Sequence, residues 1–335
     1  MVLVTGGTGL LGSHVLFKLT SENGPIRALY RNPHRKDLVK SVFNYYDPEN
    51  GSERYKKIEW FKGDILDIAS LEEGMKNISL VYHCAGLVSF EKRKFNELMK
   101  VNREGTANVV NCCLSSGVEK LCHVSSTAAL GGTPTELIKE EVKWKKGPET
   151  SGYSISKYSA EKEVWRGIEE GLSAVIVNPS VIFGAGNWEE SSLAIFRTVN
   201  KGLNFYTTGK NAFVDARDVA DIMVQLMNSP IKNERFLCIS ENLHFKDLVE
   251  MIAKQLGKTP PQKAAPEWAM AIVWRMVWLI SRLKGNSPTI TKESASTAFK
   301  SMEYDNSKII KALNFKFRTI ADTIENTVNG RILKT

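Results

Sequence analysis

The sequence predicts an α/β protein with a doubly wound parallel sheet and a smaller, mostly helical C-terminal lobe. Three observations carry that reading. Val2-Leu3-Val4-Thr5 is a run of strand formers that breaks into Gly6, Gly9 and Gly12, then continues as a helical pattern with Leu11, Val15, Leu16 and Leu19 on one face. Short apolar runs alternate with helical patterns as far as residue 180, as expected of parallel strands joined by crossover helices. From His244 onward the pattern is helical. The expected division is a sheet domain of residues 1–180 with 211–240, and a lobe of 181–210 with 241–335.

Composition narrows the function classes. The 335 residues are 42% hydrophobic and 24% charged, the balance of a water-soluble globular chain. A net charge of +8 is spread along the sequence with no basic block interleaved with aromatics, so nucleic acid is not an expected partner. Five cysteines without a C-x-x-C pair point to reduced thiols, and scattered histidines give no metal-ligand spacing. A first strand beginning at residue 2 leaves no room for a signal peptide, so the expected location is cytoplasmic.

In the opening stretch, glycine suits a sharp turn, a close approach of backbone to phosphate, and tight packing of helix on strand. The following helix points its free N–H groups at the same place. Gly7, Gly9 and Gly12 fit one dinucleotide-binding (Rossmann) spacing, and Gly6, Gly9 and Gly12 fit another. Asn23-Gly24-Pro25 reads as the helix stop. The second strand, Ile26–Tyr30, ends where an NAD site carries an acid; here Tyr30 and Arg31 stand, with Arg35 and Lys36 close behind. A guanidinium holds a 2′-phosphate by charge-assisted hydrogen bonds, so the expected cofactor is NADP(H) rather than NAD, with Arg31 its main contact.

Residues 41–57 are polar and turn-rich and read as a surface insertion. After the third strand, Ile58–Phe61, comes Gly63-Asp64-Ile65-Leu66-Asp67: an acid here can accept from an adenine amino group, and Asp67 can equally cap the next helix. The fourth strand, Leu80–His83, runs into Cys84-Ala85-Gly86, small residues that let a cofactor lie close to backbone. A helical pattern over 94–116 is broken by Gly105 and contains Asn102, a poor helix former whose amide can bond a carbonyl, a water or solvent. The fifth strand, Leu121–Val124, delivers Ser125-Ser126-Thr127 to the carboxyl edge of the sheet, where ligands bind.

Tyr153 and Lys157, four apart, share a helix face. A phenol near pKa ~10 needs a neighbouring cation to work near neutrality. Taken in order, the glycine loop, the Ser pair, Tyr153-x-x-x-Lys157 and Phe213-Val214-Asp215-Ala216-Arg217-Asp218-Val219-Ala220 resemble the short-chain dehydrogenase/reductase superfamily, in its extended branch labelled NAD-dependent epimerase/dehydratase. The resemblance selects the Gly6, Gly9, Gly12 parse. It implies Tyr153 as catalytic acid/base, Lys157 as its partner, Ser126 as the hydroxyl that orients the carbonyl, and Asn102 as holder of a relay water. It places the cofactor against Thr5, Gly6, Thr8, Gly9, Leu10, Leu11, Gly12, Arg31, Asp64, Ile65, Ala85, Gly86, Tyr153, Lys157, Pro179 and Ser180, and implies a homodimer through the helices matching 94–116 and 153–170.

Thr127-Ala128 replaces the Asp-Glu pair of the family's dehydratases, and Leu130 stands where its epimerases commonly have Tyr. The pattern is closer to dihydroflavonol reductases and 3β-hydroxysteroid dehydrogenase-like carbonyl reductases. The expected activity is therefore NADP(H)-dependent reduction of an apolar carbonyl compound, or oxidation of its alcohol. A nucleotide-sugar epimerase is the alternative, and a cofactor-binding regulator is disfavoured by the presence of Ser126, Tyr153 and Lys157. The most apolar stretch, Trp268–Ile280, carries Arg275 at its centre and is too short to span a bilayer. It reads first as a buried lid over the substrate; an interfacial membrane helix or a dimer contact are the other readings.

Overall fold

The computed structural model describes residues 1–22, 24–133, 136–147, 150–283 and 291–333. Asn23 of the expected helix stop lies outside them. The strands of the central sheet are β1 (Val2–Thr5), β2 (Ile26–Tyr30), β3 (Ile58–Lys62), β4 (Leu80–His83), β5 (Lys120–Val124), β6 (Ala174–Pro179) and β7 (Glu234–Cys238). They are all parallel, in the order β3-β2-β1-β4-β5-β6-β7. β1 is flanked by β2 on one side and β4 on the other, with Val2 in register with both Ile26 and Leu80. The chain therefore reverses its winding at β1/β4, and the crevice at their carboxyl ends is where such sheets take ligands.

Helices cover both faces, which is why the strands read as continuous apolar runs. On one face α1 (Leu10–Leu19) and α2 (Lys36–Tyr46) join the later helix Ala216–Asn228 around Val15, Leu16, Phe43, Val219 and Met223. Leu11, Val15, Leu16 and Leu19 of α1 are all buried, as their spacing predicts. On the other face α3 (Ile68–Gly74), α4 (Gly105–Ser115) and α5 (Gly152–Glu169) pack through Leu71, Val109, Val110, Cys113 and Val164.

Residues 41–57 are not a surface insertion. They finish α2 and form the helix Gly51–Lys56, with Val42 and Phe43 fully buried. Polar composition hid an amphipathic helix whose apolar face is only three residues wide. Tyr46 at its end accepts from Asn326 Nδ2 (2.9 Å) and meets His14 Nε2 (3.0 Å), tying the loop to the chain's last helix. Gly105 does not break the 94–116 pattern either. Phe95–Leu98, a π turn at Met99–Glu104 and α4 run on without interruption, and Gly105 makes room for Ile65, whose Cδ1 would lie 2.5 Å from a Cβ there.

Lys210–Asp215, at the start of the 211–240 stretch, pairs with Val181–Phe183 and Glu241–His244 in a separate three-stranded sheet, while Glu234–Cys238 joins the main one. Around it Trp188, Phe196, Phe213, Leu248 and Ile324 form a second core. The motif beginning at Phe213 is a joint between the two regions. Asp215 caps α6 (Ala216–Asn228) by accepting from Arg217 N (2.7 Å), and buried Asp218 accepts from Arg318 N (2.9 Å). The lobe is completed by α7 (Phe245–Gln255), α8 (Glu267–Leu283) and α9 (Ile320–Asn329). The buried lid does not form: α8 covers a cavity with one face only, and Trp268, Ile272 and Met276 are more than half exposed.

Candidate active site

The glycine loop explains its own residues. Gly6 has φ +68° and lies against the turn after β4, where a Cβ would be 2.5 Å from Ala85 N. A Cβ on Gly12 would be 2.1 Å from Gly6 O, whereas one on Gly9 would meet only Gly6 O at 3.4 Å. The positions needing a bare backbone are thus Gly6 and Gly12, with Gly9 facing open cleft. Gly9 is also the N-cap of α1, and no side chain caps that end. The unpaired N–H groups of the first turn face the cleft.

Below the loop, Thr5 Oγ1 bonds His83 Nδ1 (2.7 Å) and accepts from Ala85 N (3.4 Å), so Thr5 braces the turn from inside the core. Burial pushes the His83 imidazole down to about 3, keeping it neutral between Thr5 and Thr106.

Ser126, Tyr153 and Lys157 come together at the floor of one cleft of about 2060 Å³, which the glycine loop, Gly86, Pro179 and Ser180 also line. Strand β5 delivers Ser126, and α5, capped by Ser151 Oγ on Ser154 N (3.0 Å), delivers the other two. Ser126 lies close enough to the Tyr153 phenol to lower its pKa, but burial has the larger effect and raises it. Tyr153 is therefore a protonated phenol in this state. Phe90 packs edge-on against its ring at 5.6 Å.

Lys157 donates to Val124 O (2.7 Å), and burial drives its ammonium down to about 8 against the opposing pull of Glu161 and then Cys84. Gly86 leaves the space in front of it open: a Cβ there would be 3.9 Å from Lys157 Nζ.

Asn102 sits inside the π turn, a feature often found at functional sites. Both hydrogens of its amide are engaged with protein, donated to Leu87 O (2.9 Å) and Ser156 Oγ (2.9 Å), and Oδ1 accepts from Leu87 N (2.7 Å). It pins the loop after β4 against α5.

Asp64 and Arg31 lie farther out, at the ends of β3 and β2, as a pair 3.5 Å apart with the Arg31 side chain 64% exposed. Asp64 also accepts from Leu66 N (3.0 Å), and Asp67 caps α3 through Ser70 N (3.3 Å). Ile65 is buried, its carbonyl taken by Asn108 Nδ2 (3.0 Å). Thr8 lies within the glycine turn, half-buried.

Two groups have roles that the sequence reading did not give them. Arg35 lines the cleft and holds Glu190 through both guanidinium nitrogens (3.1 and 2.6 Å). Glu161 is buried one turn beyond Lys157 and accepts from Ser125 Oγ (2.6 Å), Asn178 Nδ2 (2.8 Å), Arg235 Nη1 (2.8 Å) and Trp165 Nε1 (3.3 Å). Asn178 Nδ2 also reaches Ser126 O (3.0 Å), which couples this network to the floor of the cleft. The i, i+4 spacing from Lys157 was the available signal for Glu161.

The residues present fit a dinucleotide. Besides the open Gly9 and the uncapped α1, Ser180 Oγ lines the cleft buried and without a partner among the described residues. The fold and cleft define the class: a dinucleotide-dependent enzyme on a doubly wound sheet. The chain belongs to the NAD dependent epimerase/dehydratase family, whose profile matches residues 2–238. It is 26% identical over 335 residues to a putative dihydroflavonol 4-reductase of Synechocystis sp., covering 97% of this chain and 93% of that protein. Cinnamoyl-CoA reductase 1 of Petunia hybrida is 27% identical over 78% of each chain. UDP-glucose 4-epimerase of Vibrio cholerae is 24% identical over 85% of each. Among solved structures, gox2253 superposes with a TM-score of 0.78 at 27% identity, covering 98% of this chain and 96% of that one. The protein is an NAD(P)-dependent enzyme of oxidoreductase or epimerase type.

Proposed function

We propose that the protein is an NADP(H)-dependent reductase of apolar carbonyl compounds, using Ser126, Tyr153 and Lys157. The observation that carries the reading is the meeting of Ser126, Tyr153 and Lys157 in one cleft, with the phenol protonated beside Phe90 and Lys157 behind it. The Gly6–Gly12 loop, Gly86, Lys157, Pro179 and Ser180 would hold a reduced nicotinamide, which would supply a hydride for the carbonyl carbon. Ser126 and Tyr153 hold the carbonyl oxygen, and Tyr153 Oη passes its proton to that oxygen as the C–O double bond becomes a single bond. Lys157, below its ordinary pKa yet still largely cationic near pH 7, stabilises the phenolate left behind. Asn102 acts as a positioning residue for the Leu87 turn, and any relay water there uses the one lone pair of Oδ1 left over.

Thr127 and Ala128 follow Ser126, so elimination lacks an acid and a base. For the 2′-phosphate, Arg31 is the favoured contact because its ion pair with Asp64 is long and exposed, whereas Arg35 is already held by Glu190. The UDP-glucose 4-epimerase match favours the alternative, a nucleotide-sugar epimerase, in which the hydride returns to the same substrate. The test is NADPH and NADH oxidation with a panel of aryl and alicyclic ketones. Wild type is expected to turn over with NADPH preferred, Arg31→Ala to lose most of that preference, and Tyr153→Phe to lose turnover by about a thousandfold while still binding NADPH. An unchanged cofactor preference in Arg31→Ala contradicts the Arg31 assignment, and unimpaired turnover in Tyr153→Phe contradicts the mechanism.

A further inference from the structure

Helix α8 turns an apolar surface outward. Trp268, Ile272, Met276 and Leu279 form one stripe, 69, 51, 58 and 52% exposed, and Val273 and Ile280 widen it. At 100° per residue the exposed arc spans about 140°. Arg275 and Arg282, seven residues apart, run along one border, their guanidiniums over the Trp274 and Trp278 rings at 4.7 and 5.3 Å. The opposite face lines a largely apolar cavity of about 680 Å³ with Phe90, through Trp274, Trp278 and Ser281. Phe90 connects that cavity to Tyr153. So large an apolar patch on a single exposed helix marks an interaction site.

We infer that the outer face of α8 docks on the surface of an anionic phospholipid bilayer, lying in the interface plane. Charge selects this occupant. Residues 258–300 hold seven Lys and Arg against two Glu, a net +5 of the chain's +8. Arginines bordering an apolar arc extend their heads to lipid phosphates while their stems stay with the apolar side chains, and indole rings suit the headgroup level. Among the described residues no helix is long and apolar enough to cross a membrane, so α8 lies on the surface. A second copy of the chain fits poorly. An antiparallel two-fold pairing over this helix crosses at its middle residue, Arg275, setting like charges together, and the helix carries one acid, Glu267. Docking places the cavity beneath α8 between the bilayer and Tyr153, so the substrates reaching it are carbonyl compounds dissolved in lipid. That last step rests on the reductase reading; docking itself does not.

The test is co-sedimentation of the full chain with vesicles of phosphatidylcholine alone and of phosphatidylcholine mixed with phosphatidylglycerol. Wild type is expected to pellet with the mixed vesicles, and the double variant Ile272→Glu/Met276→Glu to bind at least about tenfold more weakly, with unchanged circular dichroism and NADPH affinity. Both residues lie outside the cavity and the cleft. Docking is overturned if wild type stays in the supernatant with mixed vesicles, if the variant binds equally, or if sedimentation velocity shows a dimer that the variant dissolves. Ketone reduction in lipid-free buffer, measured on the same two proteins, tests the reductase reading separately.

Discussion

At the scale of single residues, the site depends on a buried carboxylate that does not touch the cleft floor. Glu161 is held by four donors and still acts on Lys157, countering part of the burial that lowers the ammonium to about 8. Glu161→Gln keeps the shape and removes the charge, so the Lys157 pKa falls further. Since the cation is the competent form, the alkaline limb of kcat/KM is expected to move to lower pH, with NADPH affinity at pH 6 unchanged. A pH–rate profile that does not move contradicts this role; a purely structural defect would lower the rate at every pH alike. Tyr153, Lys157 and Ser126 were legible because each lies in a local pattern. Arg235 was not, because it reaches Glu161 only through the pairing of β7 with β6, which no local spacing encodes.

At the scale of elements, the glycine loop and the helix containing the π turn behave differently from their sequence patterns in instructive ways. Two spacings fitted the loop, and they differ at the first glycine: a Cβ on Gly6 would meet backbone at 2.5 Å, one on Gly7 the end of the Leu16 side chain at 2.9 Å, while Gly9 faces the cleft. Gly6→Ala is thus expected to lower the melting temperature by several degrees, because it adds a steric clash to a left-handed backbone. Gly9→Ala is expected to melt like wild type yet bind NADPH at least about tenfold more weakly, measured by fluorescence titration. Equal affinity in Gly9→Ala contradicts the loop assignment. Gly105 looked like a helix break for a reason local to the chain, but the side chain it makes room for, Ile65, comes from 40 residues earlier in the sequence. Residues 41–57 misled for the converse reason: few apolar residues suffice when Phe43 and Val42 enter a core already built by α1.

At the scale of the whole molecule, burial of titratable groups sets the acid stability. His14, His83 and His123 all have imidazoles pushed below the ordinary 6.5 by burial, and both His123 nitrogens lack partners among the described residues. Below 6.5 the unfolded chain takes up protons that the folded chain refuses, so each histidine removes stability as pH falls towards its folded pKa, by at most about 1.4 kcal/mol per pH unit. Asp218, raised to about 6 by burial, acts in the opposite sense between that value and its ordinary 3.8. His123→Phe isolates one histidine: urea unfolding at pH 6 and 5 is expected to show a shallower loss than wild type by about 1.4 kcal/mol. An equal loss contradicts the burial argument. The same scale explains what the sequence withheld about substrate. The parallel sheet repeats a strand–helix rhythm that can be read, while the lobe is assembled from short strands and helices whose contacts are long-range. The central claim is a net hydride transfer from NADPH to a ketone with the proton from Tyr153. Its most direct test is single turnover with NADPH deuterated at C4 and an apolar ketone. The account predicts one deuterium on the carbinol carbon for each NADP⁺ formed, abolished in Tyr153→Phe; an enzyme that epimerises a nucleotide sugar with no net cofactor oxidation would contradict it.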